Sequence, residues 1–282
     1  IPGRTYGFVV ADAQSAVTGI QATFNFGQNP SFSGQTTAGT YTDANGKGLF
    51  KYQPPAGYLA LCEDNLPTPA IADPGKYFKT VLYTGDNSNS MKITGVGFKP
   101  DLIWFKKRTG GSQNHTLFDS VRGANMRLMP NESDAESSVT GYLNSFDTNG
   151  FSIGGNNFVN DNGQDYIAWC WKAGGNSNTF NVDGTGYATA SAAGITDGSI
   201  PLTGASVNTE TGFSIVSWTG NNTAGASVGH GLGKEPSMII LKSRGSTARS
   251  WGVYHKSIGN TGLVYLDLTN STNTATFHWN DT

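Results

Sequence analysis

The sequence contains one short motif of the kind that presents a catalytic nucleophile. Gly150-Phe151-Ser152-Ile153-Gly154 matches the G-x-S-x-G pattern of hydrolases, in which the serine attacks the substrate. That chemistry needs a strand, a sharp turn and then a helix, so that the serine is exposed at the turn. Ser152 instead lies inside an alternation of apolar and polar residues, and the asparagine-rich residues that follow have no helical period. The context favours an ordinary strand, and we expect no nucleophile here.

Histidines and oxygen-rich turns offer no spacing typical of a metal site. None of the histidines belongs to an H-E-x-x-H motif or another paired spacing; they are His115, His230, His255 and His278. Residues 161–165 (Asp-Asn-Gly-Gln-Asp) resemble a calcium loop but lack its terminal glutamate and alternating ligands. A hairpin turn of the Asp-Asn-Gly type explains them more simply, with adventitious calcium binding as the alternative. We therefore expect no metal and no cofactor.

Paired carboxylates would be the chemistry of a glycoside hydrolase built on a β-sandwich. Such enzymes place two acids about 5–9 Å apart across the scissile bond. The glutamates lie in turn-like or linker-like stretches, and none alternates with another acid along a strand; they are Glu63, Glu132, Glu136, Glu210 and Glu235. The sequence therefore predicts no catalytic residues, and a polysaccharide depolymerase is the least favoured function.

The composition favours many short strands joined by turns. Of the 282 residues 38 are glycine, and charged residues make up 13% against about 25% in an ordinary domain. An aromatic content of 11% argues against disorder. The net charge is −2 with no basic block, which argues against nucleic-acid binding. No stretch approaches the roughly 18 apolar residues of a membrane-spanning helix, so we expect no membrane insertion.

An internal repeat organises most of the chain. Residues 97–108 and 233–244 share a proline, an apolar run, a lysine and an arginine at an offset of 136 residues. The match continues at the same offset from residues 116–119 to residues 252–255. It also extends upstream, at an offset of 135, from residues 81–85 to residues 216–220.

The first copy ends with two further strand-like segments that the second copy lacks. Residues 146–153 predict a strand, a turn and a strand, and residues 165–171 predict a further strand. Projected by the repeat offset, the first of these segments would begin where the chain stops. We therefore expect a second copy with unpaired edges and a polypeptide that continues past Thr282. Ile1 is preceded by no initiator methionine, so we also expect the sequence to be part of a longer one.

The predicted organisation has four parts. Residues 1–66 form a separate unit, residues 77–174 a complete module, and residues 212–282 a truncated second copy. Most of residues 175–211 is a Gly/Ser/Thr-rich linker or extended connector, in which short apolar pieces such as residues 179–182 could add an edge strand to either neighbour. Prolines mark the first boundary because they cannot continue a strand ladder; they are Pro67, Pro69 and Pro74. In the first unit, residues 21–27 alternate at strand period, and residues 58–61 form a strand-like apolar run.

Three sets of side chains have both a structural and a functional interpretation. Asp119 and Arg122 could bind a ligand, but a structural ion pair is favoured because the second copy has His255 at the first position. Cys62 and Cys170 each follow an apolar run and are expected to be buried, inert thiols. The tryptophans could stack on sugars, although their alternation with small or polar neighbours suits a sandwich core; they are Trp104, Trp169, Trp171, Trp218 and Trp251.

Several motifs resemble known protein families. Residues 25–28 (Asn-Phe-Gly-Gln) and 54–58 (Pro-Pro-Ala-Gly-Tyr) resemble the end of a SPRY-type sandwich, with a longer insertion between them. The repeated module resembles one that is common in tailed-phage genomes, especially marine ones. Its motifs here are residues 83–85, 97–101, 117–123 and 168–174 in the first copy, with 228–233 and 251–255 similar to a sister form.

This resemblance implies a fold, a location and a set of partners. It implies an all-β chain of tandem sandwich modules, of concanavalin A-like or jelly-roll-like architecture, joined by Gly/Ser/Thr-rich linkers. It implies a structural, non-enzymatic component of a phage virion appendage such as a tail fibre, spike or head fibre, located on the particle surface. Other virion structural proteins and further copies of the chain, typically in a trimer, are the expected partners. Attachment to a host cell-surface glycan or protein is the expected role, with a glycan-binding adhesin as the alternative.

Overall fold

The computed structural model of the protein describes residues 24–274 and Trp279. It divides into two compact units, Ile1–Ala72 and Asp73–Thr282. The division falls among the prolines that mark the predicted boundary. The described residues contain β-strands and two short 3-10 turns, Glu63–Asn65 and Pro74–Lys76, but no α-helix. The chain is therefore all-β, as predicted.

The described part of the first unit is held by side chains that bond to nearby backbone. Asn25 accepts hydrogen bonds from the N–H groups of Gly27 (2.8 Å) and Asn29 (3.3 Å). Such local bonds compete with strand ladders, and residues 24–27 form no strand where one was predicted, while residues 21–23 lie outside the described residues. Residues 58–61 also form no strand. These two predictions are corrected, and the SPRY-type resemblance of this unit stays a prediction.

Asp43 is the polar centre of the first unit. Its carboxylate accepts hydrogen bonds from the backbone N–H groups of Asn45 (2.9 Å), Lys47 (2.8 Å) and Ala60 (2.8 Å), and from the Asn65 amide (2.7 Å). Burial raises the pKa of Asp43, but these hydrogen bonds outweigh it and lower that pKa to about 2. One ionised carboxylate thus joins two distant turns of the unit.

The first module of the second unit contains two main antiparallel sheets. Their strands are β1 Phe78–Thr84, β2 Met91–Thr94, β3 Leu102–Lys107, β4 Thr116–Asp119, β7 Leu143–Asp147, β8 Gly150–Ile153 and β9 Asp165–Trp171. The larger sheet has the strand order β1-β9-β3-β4 and the smaller has the order β2-β8-β7. A short ribbon of β5 Met126–Arg127 and β6 Ser137–Ser138 follows β4. Strands β7, β8 and β9 are the segments that residues 146–153 and 165–171 predicted.

The two main sheets share one apolar core. Phe105 on β3 and Phe151 on β8 are fully buried, with ring centroids 5.3 Å apart in an edge-on arrangement. Phe118 on β4 packs against Phe105, and Tyr83 on β1 packs against Phe151. Inward-facing residues of both sheets thus meet face to face, as in a β-sandwich.

Residues 175–211, predicted as a linker, contain part of a third sheet. Its strands are β10 Phe180–Val182, β11 Thr185–Tyr187, β12 Leu202–Asn208 and β13 Phe213–Trp218, in the order β11-β10-β12-β13. Phe180, Ile195, Ala205 and Val207 form its buried cluster. The linker prediction is therefore corrected: small residues such as Ala205 pack closely here, although the Gly/Ser/Thr-rich composition resembles that of a flexible segment.

Gly174 shows how closely the third sheet approaches the first module. A Cβ at this position would lie 2.4 Å from the Asn181 carbonyl oxygen and 2.5 Å from the Val207 nitrogen. Both distances are far inside van der Waals contact, so only glycine fits without backbone movement. The end of the first module is thus packed directly on the third sheet.

The fourth sheet repeats the strand register of the first module. Its strands, in order, are β14 Met238–Leu241, β15 Gly252–His255, β16 Gly262–Tyr265 and β17 Asn273–Thr274. Leu102 pairs with Asp119, and Met238 pairs with His255, each shifted by 136 residues. Met126 pairs with Ser138, and Gly262 pairs with Thr274, at the same shift.

The bridge between these two strand pairs is also repeated. Leu117 bridges to Leu128 in the first copy, and Val253 pairs with Val264 in the second. Four consecutive strands therefore keep one register across both copies. The sequence offset predicted the correspondence of β3 and β4 with β14 and β15.

Candidate functional site

The outer face of the largest sheet brings together three of the tryptophans noted in the sequence. Side chains directly opposite one another on paired strands share a face, and Trp169 on β9 pairs with both Thr80 on β1 and Trp104 on β3. Ile167 pairs in the same way with Leu82 and Lys106. We name this surface the tryptophan face and define it by Phe78, Leu82, Trp104, Ile167, Trp169 and Trp171.

Accessibility varies along the tryptophan face. Leu82 is 59% exposed and Phe78 is 40% exposed, while the indoles of Trp104 and Trp169 are half-buried. Trp171 lies at one end, where its ring stacks on Phe213 of the third sheet at 6.4 Å and 25°. Leu82 and Phe78 are therefore the most exposed members of the face, and Trp104 and Trp169 are partly accessible.

His115 fixes the orientation of one indole at the centre of this surface. Trp104 donates its indole N–H to His115 Nδ1 at 2.8 Å, and its ring lies edge-on to Trp169 at 6.1 Å and 76°. Partial burial, together with the charge of Lys106, lowers the pKa of His115. A neutral imidazole has one nitrogen that accepts a hydrogen bond, and in His115 this nitrogen is Nδ1, which accepts the bond from Trp104. Two oriented indoles beside a lysine form a surface of the type that stacks on sugar rings.

A buried ion network lies where the two copies meet. Arg122 donates to Asp119 (2.5 Å) and to Glu136 (2.9 Å), and all three side chains are at most 7% exposed. Arg244 of the second copy donates to the other oxygen of Glu136 at 2.8 Å. The Asp119–Arg122 pair is thus a structural ion pair, as favoured from the sequence, and Glu136 extends it between the copies.

A comparison with protein families places most of the chain. The family model described as a domain of unknown function (DUF7483) matches residues 73–282. The chain belongs to this family. The matched range coincides with the second compact unit, so both copies of the repeat lie within the DUF7483 region. No curated protein and no solved structure matches the chain.

The motifs that resembled catalytic or metal sites form part of the DUF7483 framework. Ser152 lies on β8, where its hydroxyl donates to Asp147 at 2.6 Å. The carboxylate of Asp161 forms an ion pair with the buried Lys107 ammonium at 2.7 Å. The turn at residues 161–164 is closed by a hydrogen bond from the Gln164 N–H to the Asp161 carbonyl. Within residues 24–274 and Trp279, no three metal-binding side chains cluster, and no helix could cross a membrane.

The two cysteines differ in their surroundings. Cys170 is fully buried in the core of the first module, and burial raises its pKa to about 12. Cys62 is half-exposed, so the prediction of a buried thiol is corrected at this position. The apolar run before Cys62 forms no strand, whereas the run before Cys170 is the central strand β9.

Asp101 is a buried acid of the DUF7483 region that the sequence did not single out. It is 1% exposed and accepts hydrogen bonds from the Ser120 hydroxyl (2.8 Å) and the N–H groups of Ala173 (2.8 Å) and Gly175 (3.1 Å). Burial raises the pKa of Asp101, and these bonds oppose that rise. Its place directly before β3, in the Gly-Phe-Lys-Pro-Asp motif of the first copy, was the available signal, although the second copy has Ser237 at this position. Since it joins the start of β3 to the end of β9, its role is structural.

Proposed function

We propose that the protein is a structural component of a tailed-phage virion appendage, built from tandem sandwich-like modules and acting in attachment without catalysis. The observation that carries the proposal is the buried, hydrogen-bonded joint between two copies that share one strand register. A repeat with a fixed joint holds its modules at a constant spacing, which an extended appendage requires. The resemblance of both copies to phage modules supports the same assignment.

The joint is built from buried hydrogen bonds as well as ions. Trp251 of the second copy is 4% exposed and donates its indole N–H to the carbonyls of Met129 and Glu132, both at 3.1 Å. The N–H of Arg249 and the ammonium of Lys242 both donate to the Ser133 carbonyl, at 2.9 and 2.8 Å. Because a buried donor that loses its acceptor is costly, these bonds hold the second copy in one orientation on the first.

Particle association tests the appendage assignment. Purified phage particles from a density gradient would be probed with an antibody against residues 77–174, beside a major capsid protein as the positive control. The protein should band with the particles and resist a high-salt wash. An antigen found only in the particle-free fractions would refute the assignment.

Glycan binding is the second candidate function, favoured by the two partly accessible, adjacent indoles of the tryptophan face. We propose that a host-surface glycan stacks on Trp169 and Trp104, with Lys106 at the rim. The test is retention on a glycan array for the wild type, Trp169→Ala and Trp218→Ala. The last variant removes a half-buried indole from β13, outside the face.

The array result separates the alternatives. Loss of one stacking ring should weaken retention by roughly three- to tenfold in Trp169→Ala, with Trp218→Ala unchanged. Equal retention by both variants would refute the tryptophan face as the site. Release of reducing ends from the bound glycan would favour a depolymerase instead.

A further inference from the structure

One hydrogen bond of the tryptophan face depends on the protonation state of a histidine. Trp104 donates its indole N–H to His115 Nδ1 at 2.8 Å. Because an indole nitrogen only donates, His115 Nδ1 has to be the acceptor, and the imidazole proton lies on Nε2. A protonated imidazole has an N–H at both nitrogens and accepts at neither. The bond therefore exists only while His115 is neutral.

The packing of the two rings also disfavours a positive charge on His115. The Trp104 and His115 rings lie edge-on, with centroids 5.8 Å apart and 73° between their planes. The edge of an aromatic ring is the positive part of its charge distribution, and the indole N–H lies on that edge. An imidazolium would place a second N–H and a full charge against it, so protonation should displace one of the two rings.

The groups around His115 favour its neutral form. Partial burial and then the like charge of Lys106 on β3 lower the pKa of His115. The His115 backbone N–H donates to the neutral Asn131 side chain at 2.8 Å, and the acid of that segment, Glu132, accepts from the Asn131 amide at 3.4 Å. On β9, the residue opposite Lys106 is the uncharged Ile167. The imidazolium should therefore form only below the ordinary histidine value of about pH 6.5.

We infer that His115 is a pH-sensitive switch of the tryptophan face, which holds the Trp104 indole in place while neutral and releases it on taking up a proton. Trp104 packs edge-on against Trp169 at 6.1 Å, so displacement of its ring changes the pair of indoles proposed to stack on a glycan. This consequence for binding rests on the proposed glycan function, whereas the loss of the Trp104–His115 bond does not.

Solution NMR of the 282-residue chain tests the switch without a ligand. The six tryptophans give six indole N–H signals, and Trp104→Phe identifies the signal of Trp104. Spectra of the histidine ring nitrogens give the tautomer of His115. His115→Asn supplies an amide oxygen that accepts a hydrogen bond and does not titrate. His255→Asn is the matched control, because the His255 ring bonds to Ser257 in the second copy.

The expected result is a His115 proton on Nε2 at about pH 8 and a single transition of the Trp104 signal between about pH 6.5 and pH 4. The transition should be absent in His115→Asn and unchanged in His255→Asn. A proton on Nδ1 at about pH 8 would overturn the inference, and this result needs no variant to fold. A constant Trp104 signal in a chain that stays folded would also overturn it, as would the same transition in His115→Asn.

Glycan-array retention above and below the NMR transition separates the switch from the proposed function. Retention of the wild type should fall by roughly three- to tenfold below the transition, the loss expected for one stacking ring. Retention of His115→Asn should not change. Absence of retention at both pH values would refute the glycan proposal and leave the NMR result to decide the bond. Constant retention in a wild type whose Trp104 signal titrates would overturn the control of the face by His115.

Discussion

Replacing Glu136 with alanine should destabilise the joint between the two copies. The Glu136 carboxylate accepts hydrogen bonds from Arg122 (2.9 Å) and from two nitrogens of Arg244 (2.9 and 2.8 Å). Its side chain is 7% exposed, and that of Arg122 is 5% exposed. The substitution leaves the buried guanidinium with one carboxylate partner fewer and removes an ion pair between the copies.

The magnitude follows from the burial of each partner. Removing one member of a buried ion pair costs about 3–5 kcal/mol. Two features reduce that figure here, because Arg122 keeps Asp119 at 2.5 Å and Arg244 is 41% exposed and partly screened by water. We expect a loss of about 2–3 kcal/mol in the free energy of unfolding of the DUF7483 region. For a region of this size, that loss lowers Tm by roughly 4–12 °C.

Urea and thermal unfolding, followed by tryptophan fluorescence, measure this loss. Glu132→Ala is the matched control because the Glu132 carboxylate receives only one long bond, from the Asn131 amide at 3.4 Å. That variant should stay within about 0.5 kcal/mol of the wild type. Equal stability of the two variants would refute the structural importance of the network.

The pH dependence gives a second measure of the same network. Burial raises the pKa of Glu136, but the hydrogen bonds from Arg244 and Arg122 outweigh it, so the net pKa is below its usual range. A lowered pKa in the folded state contributes stability above the pKa of the unfolded carboxyl, and that contribution disappears as the pH falls through the folded value. The difference in stability between wild type and Glu136→Ala should therefore shrink in acid. A difference that stays constant would contradict the assigned cause.

Three further predictions concern the joint, the first unit and the thiols. Trp251→Phe leaves two buried carbonyls without their indole donor and should cost about 1–2 kcal/mol in urea unfolding; a neutral result would contradict the joint. Since the pKa of Asp43 is lowered to about 2, the stability of the first unit in the wild type should fall as the pH drops from about 4 to about 2. The substitution Asp43→Asn should abolish that pH dependence, which acid titrations followed by circular dichroism measure. A thiol reagent should modify Cys62 rapidly and Cys170 only after unfolding, because burial raises the Cys170 pKa to about 12; rapid modification of both thiols would contradict the buried strand.

The strand pattern and the repeat could be predicted from the sequence where apolar residues alternate. β9 coincides with the predicted segment at residues 165–171, and the repeat offset correctly relates the Leu102–Asp119 pair of the first copy to the Met238–His255 pair of the second. The third sheet could not be predicted in the same way. β10 lies within the short apolar piece at residues 179–182, which could be recognised as a strand. Its parallel partner β12 contains residues as small as Ala205, so neither length nor alternation marks β12.

In the candidate sites, contacts between residues close in sequence could be predicted, whereas contacts between distant residues could not. The Asp119–Arg122 ion pair is local, three residues apart, and could be predicted. Its extension from Glu136 to Arg244 spans 108 residues and depends on how the two copies pack. In the first unit, the Asn25 side chain accepts hydrogen bonds from nearby backbone N–H groups, and these bonds replace the strand that the alternating residues predict. Period alone could not predict that outcome.

Immunogold electron microscopy of purified particles tests the proposed function most directly. The antibody is raised against residues 77–174, the first complete module, and bound gold marks its position on each particle. If the protein is an appendage component, gold should lie on a fibre or spike that projects from the particle. Unlabelled particles, with the antigen free in the lysate, would contradict it.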